Sequence, residues 1–223
     1  VTNMKSDLRQ FLRIRDTPLV NIDIKNSQPF CSILLLTDPS KTIQFATDTE
    51  LREILKTIQI DKSADVLKYI DLVVSGTFYE HIMIELEKDG ISLTRDQAKK
   101  ETLRWLFRHN TDPVSLLSRQ IRNKFISEFP TVHNYFSLLR GNNNTSDKYS
   151  NYCRFAILLQ RIESYMVLEL IVKQIMKKYP KTALLTIHDS IMTLYTTSLP
   201  PILSIINTTI LSFIGYKPTL SLN

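Results

Sequence analysis

Glycine is scarce in this chain. Only Gly76, Gly90, Gly141 and Gly215 occur among 223 residues, against roughly 7% in average proteins. None is spaced for a G-x-G-x-x-G turn or a phosphate-cradling loop, which excludes Rossmann and P-loop nucleotide sites. A nucleotide bound here would have to be held by cationic side chains or metal ions. Cysteine is almost absent too: Cys31 and Cys153 are too few for a disulfide framework or a cysteine metal site, which fits a reducing compartment. Long apolar runs are missing. The best stretch, 202–214, is interrupted by Ser204, Asn207, Thr208, Thr209 and Ser212, so neither a helical membrane span nor a membrane partner is expected.

What is present suits a folded domain. Hydrophobic residues make up 43% and charged ones 22%, enough for a sizeable core and too apolar for disorder. Lys and Arg number 28 against 22 Asp and Glu, a net charge of +6. That balance leans toward a polyanionic partner without identifying one. Residues 18–24, Pro-Leu-Val-Asn-Ile-Asp-Ile, predict a strand buried at Leu19, Val20, Ile22 and Ile24. Helical periodicity predicts helices over 1–16, 29–36, 49–58, 63–74, 79–88, 93–109, 115–128, 132–139, 152–178 and 201–214. The Asn-rich stretch 141–150 reads as a loop. Residues 183–187 and 191–195 read as strands joined by His188-Asp189-Ser190, a hairpin, and a last strand follows Gly215. The expected fold class is α+β, with few strands and many helices.

Two acids stand where apolar strands end or turn, Asp23 and Asp189. A carboxylate in such surroundings costs several kcal/mol unless a cation compensates it. Two such strands side by side could hold a pair of divalent ions about 3.5–4 Å apart for in-line phosphoryl transfer. For Asp189 alone, capping a turn is the simpler reading. On the helix 93–109, Arg95, Lys99, Leu103 and Phe107 recur every four residues, drifting about 40° per step down one face. Lys100, Arg104 and Arg108 form the adjacent stripe. Cations of this kind grip a triphosphate, and an aromatic ring lies under a base or sugar. Taken alone, the helix reads more simply as a solvated basic face with Leu103 and Phe107 in the core. His81, His109 and His133 have no ligand-like spacing and read as surface or packing residues. Glu163 reads as a solvated helix acid.

The order of these features resembles motifs A, B and C of the DNA polymerase I-like (family A) polymerases and the related single-subunit RNA polymerases. Asp23 falls on the motif A aspartate, and Ser27-Gln28 resembles the Ser-Gln that follows it. Arg95, Lys99 and Phe107 fall on motif B, and Ile187-His188-Asp189-Ser190 resembles motif C. Phe129-Pro130-Thr131-Val132 with Tyr135 resembles a Tyr-Pro-x-Val-x-x-Tyr segment, and Gln160 lies near the family's template-binding glutamine. The family usually has Tyr-Gly where this chain has Phe107-Arg108, and its DNA enzymes have a glutamate where this chain has Gln28.

The resemblance covers roughly 19–220. It implies a polymerase palm with a small antiparallel sheet flanked by helices, plus a helical fingers lobe. The palm would take 1–40 and 130–223, the fingers 41–129. It further implies a template-dependent DNA polymerase with two Mg²⁺ ions on the catalytic residues Asp23 and Asp189. Arg95, Lys99, Leu103, Phe107 and Gln28 would contact the nucleotide. His188, Gln160 and Arg104 would contact primer and template. Implied partners are a DNA primer/template, or RNA, nucleoside triphosphates, and further domains or subunits supplying a thumb. Action in the cytoplasm is expected, including for a virus- or plasmid-encoded enzyme. An RNA polymerase-like enzyme and a catalytically silent nucleic-acid-binding module remain open alternatives.

Overall fold

The computed structural model describes residues 11–107, 115–140, 154–187, 190–196 and 199–223. They form two compact units, one from residues 1–30 with 162–223, the other from 31–161. The chain is α+β, as its periodicity predicts.

The first unit is built on an antiparallel sheet. Strands β1 (Arg13–Ile14) and β2 (Thr17–Ile24) are joined by Arg15 and Asp16, both in the left-handed region at φ 48° and 63°. A two-residue link with positive φ at both positions matches the right-handed twist of a hairpin. It pairs Arg13 with Pro18 and Ile14 with Thr17. Of the helix expected over 1–16, residues 1–10 lie outside the described residues, and 13–14 form a strand instead. Of the apolar residues that suggested the helix, Leu8, Phe11, Leu12 and Ile14, the last two pack on Leu19, Ile187 and Met192. Strands β3 (Leu184–Ile187) and β4 (Ser190–Leu194) pair in register, and β4 runs along one edge of β2 from Leu19↔Leu194 to Asp23↔Ser190. Strand β5 (Leu220–Leu222) pairs with the other edge, Ile22↔Leu222 to Ile24↔Leu220. This makes β2 central, with Ile22 and Ile24 buried on one face and Asn21 and Asp23 half-buried on the other.

Helix α1 (Ser27–Thr37) follows β2 through Asn26, held at φ 55°. The second unit continues with a 3₁₀ turn (Pro39–Phe45) and helices α2 (Thr49–Thr57), α3 (Ala64–Val74), α4 (Phe78–Glu87), α5 (Arg95–Phe107), α6 (Leu116–Glu128) and α7 (Pro130–Arg140). Asp48 caps α2 by accepting from the Leu51 N–H at 2.7 Å, and Ser115 caps α6 by accepting from Ser118 N–H at 3.1 Å. At the centre Tyr69 meets Phe78, Phe125, Phe129 and Phe136 edge-on, with ring centroids 5.4–6.0 Å apart. Its hydroxyl pairs with Ser32 at 2.9 Å, and burial pushes its phenol up.

The helix expected over 152–178 is helical wherever it is described: α8 (Arg154–Ser164), a π-helical stretch (Tyr165–Val172) and α9 (Lys173–Lys178). In the first unit, that π-helical stretch packs on α10 (Leu199–Ile214). No described helix is long and apolar enough to cross a membrane.

Candidate active site

Asp23 occupies the middle of the sheet. Its register partners are Ser190 on one edge of β2 and Ser221 on the other. Pleating turns it away from Ile22 and Ile24, which are 2% and 4% exposed on the opposite face. Ser190, the residue after Asp189 in the chain, donates its hydroxyl to the Ile187 carbonyl at 2.9 Å and closes the end of the hairpin. Asp189 and His188 themselves lie outside the described residues.

Beyond Asp23 the chain leaves β2 through Asn26, buried with both carboxamide atoms unpaired among the described residues, into the first turn of α1. Gln28 is half-buried there. Its neighbour Ser27 donates a hydrogen bond to the Glu163 carboxylate, and the two residues are 6% and 8% exposed. The sequence reading of Glu163 as a solvated acid is thus overturned. Its helix turns this position inward, and the serine hydroxyl is one compensating donor. Nothing in the spacing of Glu163 marks it; only contact with a residue 136 positions away does.

In the second unit, α5 separates its faces cleanly. Ala98, Thr102, Trp105 and Leu106 are buried, and Trp105 packs on Phe125 at 4.6 Å. Lys99 is exposed, and Arg95, Leu103 and Phe107 are partly exposed. Leu103 and Phe107 are half-buried, beside a core stripe filled by Ala98, Thr102, Trp105 and Leu106. Phe107 touches the Phe155 ring at 6.2 Å. Arg95 Nε donates to Glu80 at 2.6 Å, and its guanidinium lies 5.6 Å from the Tyr79 ring centre. Arg104 pairs with Glu101. Gln160 is exposed on α8, and Arg108 lies outside the described residues.

Glu101 was not singled out by sequence, yet it ties α5 to the next helix. Its carboxylate accepts from the hydroxyl of Ser118, from that of Ser115 at 3.2 Å, and from Arg104. Burial pushes its carboxyl up, but hydrogen bonds from Ser118, Arg104 and Ser115 prevail and hold it below the usual value.

A second cluster lies on α4 and α6. His81, Glu85 and Glu128 bring a ring nitrogen and two carboxylates within 4.8 Å of one another. These are donor types a divalent ion accepts, but lysines already answer the carboxylates: Lys68 on Glu128 and Lys88 on Glu85 at 2.6 Å. Glu128 is held below the usual carboxylate range, first by its hydrogen bond from Lys68 and, against burial, also by His81. The sequence reading of His81 as a surface or packing residue passed over the His81-x3-Glu85 spacing, which places the two on one helix face.

No protein-family model matches this chain, and no curated protein matches it. Among solved structures it is similar to the POL domain of Pol1 from M. smegmatis, a complex with DNA primer-template and dNTP. The sequence identity is 12% and the TM-score 0.46, over 100% of this chain and 43% of that one. The chain therefore spans less than half the length of that protein.

Proposed function

We propose that the chain is a template-dependent nucleotidyltransferase that extends a primer 3′-hydroxyl, with deoxyribonucleoside triphosphates as the favoured substrates. The observation that carries this reading is α5. Its partly accessible stripe runs cation, cation, aliphatic, aromatic from Arg95 to Phe107, while Ala98, Thr102, Trp105 and Leu106 are committed to packing. A helix that keeps this order accessible fits a triphosphate at one end and a base or sugar at the other.

In this reading 1–40 and 130–223 make the palm, and 41–129 the fingers. Asp23 and Asp189 are the acids that would hold two Mg²⁺. Asp23 suits such an ion: it is a half-buried carboxylate whose register neighbours on both edges are serines, and Mg²⁺ takes hard oxygen donors. When bound, Mg²⁺ activates the primer oxygen and neutralises the phosphates. The primer 3′-oxygen forms a bond to the α-phosphorus, the α–β phosphoanhydride bond breaks, and pyrophosphate leaves. Arg95 and Lys99 hold the β- and γ-phosphates, Leu103 and Phe107 support the base, and Gln28 stands at the sugar. His188, Gln160 and Arg104 meet primer and template.

Primer extension with separate deoxyribonucleotide and ribonucleotide pools tests this. Mg²⁺-dependent extension with the first pool is expected; no extension with either would remove the enzymatic reading. Duplex binding that is steeply salt-dependent, without turnover and indifferent to Asp23→Ala, would instead identify a silent binding module. Lys99→Ala is expected to raise the Kd for triphosphate about tenfold, the worth of one charge-assisted phosphate contact. Duplex affinity, measured by anisotropy, should change far less. Equal losses would assign Lys99 to the duplex backbone.

A further inference from the structure

We infer that Glu80 is the exchange partner of Arg95: it holds the guanidinium while no polyphosphate is bound and takes it back as pyrophosphate leaves. This inference rests on reading Arg95 and Lys99 as the triphosphate grip. The two cations stand one turn apart on α5 but differ in state. Lys99 is exposed and has no ion-pair partner among the described residues. Arg95 is engaged by Glu80 through Nε at 2.6 Å, with the Tyr79 ring centre 5.6 Å from its guanidinium.

The pair is built to open. Its side chains are 42% and 41% exposed, so a ligand reaches them from solvent. Glu80 sits in the first turn of α4, which packs directly on α5. Its second oxygen, Oε2, is buried without a hydrogen-bond partner among the described residues, so Glu80 is an under-used acceptor on its side of the pair. A guanidinium offers the same fork to a carboxylate and to a phosphate. An exposed pair of this kind is worth only about two- to fivefold in an equilibrium constant. A triphosphate carries several charges and meets Lys99 at the same time, so it displaces Glu80. The Tyr79 ring can seat the guanidinium face in both states. Once the α–β bond has broken, pyrophosphate has lost its tie to the base, and the waiting carboxylate competes with it for Arg95. Glu80 thereby weakens triphosphate binding slightly and promotes product release.

The test is a double-mutant cycle of Glu80→Gln and Arg95→Gln in the full chain, with Glu80→Ala as a second removal of the charge. Kd is measured for a fluorescent nucleoside triphosphate and for inorganic pyrophosphate, along with product inhibition of extension. Glu80→Gln and Glu80→Ala are expected to tighten both ligands about two- to fivefold and to deepen pyrophosphate inhibition. In the Arg95→Gln background, Glu80→Gln should have no effect on affinity. A purely structural pair would give a lower melting temperature with unchanged affinities. Unchanged or weaker binding in both Glu80 variants, while Lys99→Ala still weakens binding, would overturn the exchange role and leave the proposed function standing. Failure of every variant and the wild type to bind triphosphate would overturn both.

Discussion

Asp23→Asn is expected to lower Mg²⁺-dependent primer extension by at least about a thousandfold while leaving the fold intact. The substitution keeps size and strand geometry, so β2 retains its register with β4 and β5, which is made by backbone atoms. What it removes is one full negative charge from the middle of the sheet. Loss of a ligand charge that supports metal-assisted phosphoryl transfer costs several kcal/mol of barrier, and about 4 kcal/mol corresponds to a thousandfold. Stability should change little: asparagine matches aspartate in size, and the backbone pairing of β2 does not depend on the side chain. Initial extension rates and a thermal melt decide the matter. Activity within tenfold of wild type would remove Asp23 from the chemistry, and a large fall in melting temperature would make it a structural residue.

Glu101→Ala is expected to cost about 3 kcal/mol and to lower the melting temperature by about 6–12 °C. The reason is local and specific. One carboxylate receives Ser118, Ser115 and Arg104, and hydrogen bonds to a charged group are worth about 1.5–3 kcal/mol each but are not additive. Alanine is a better helix former than glutamate, so the loss cannot come from propensity. Glu101→Gln, which keeps the shape and two of the donors' partners, should lose roughly half as much. The sign of the pH dependence follows from the depressed carboxyl. The ionised form is favoured in the folded state, so its contribution is full above the unfolded-state value of about 4.3 and is lost as pH falls through the lower folded value. The gap between wild type and Glu101→Gln should therefore be constant from pH 6 to 8 and close in acid. A gap that widens in acid would mean that the carboxylate is not what holds the two helices.

Much of the chain was legible from its pattern. The strand 18–24 and helices such as 63–74 and 115–128 follow from periodicities of 2 and 3.6, because each element has to bury its own apolar stripe. Where the pattern misled, the deciding energy was not local. Leu8, Phe11 and Leu12 have helix-like spacing, but Arg15 and Asp16 at positive φ fold Leu12 and Ile14 back onto β2, where Leu19 and Met192 cover them. Ser190, expected between the two strands, is instead the first residue of β4.

The candidate site divides along the same line. The sequence by itself determined which chemistry is available: few glycines, no cradle for phosphate, and in its place Asp23, Asp189 and the row from Arg95 to Phe107. Periodicity also placed that row on one face of one helix. It could not say whether Leu103 and Phe107 face the core. The tertiary structure leaves both half-buried, beside a core stripe filled by Ala98, Thr102 and Trp105. Nor could it pair Arg95 with Glu80, Glu101 with Ser118, or Ser27 with Glu163. Such pairs join residues 15, 17 and 136 positions apart. An isolated charge reads the same in any sequence whether it is solvated or held; burial and the partner's distance decide, and both arise only when separate elements pack together.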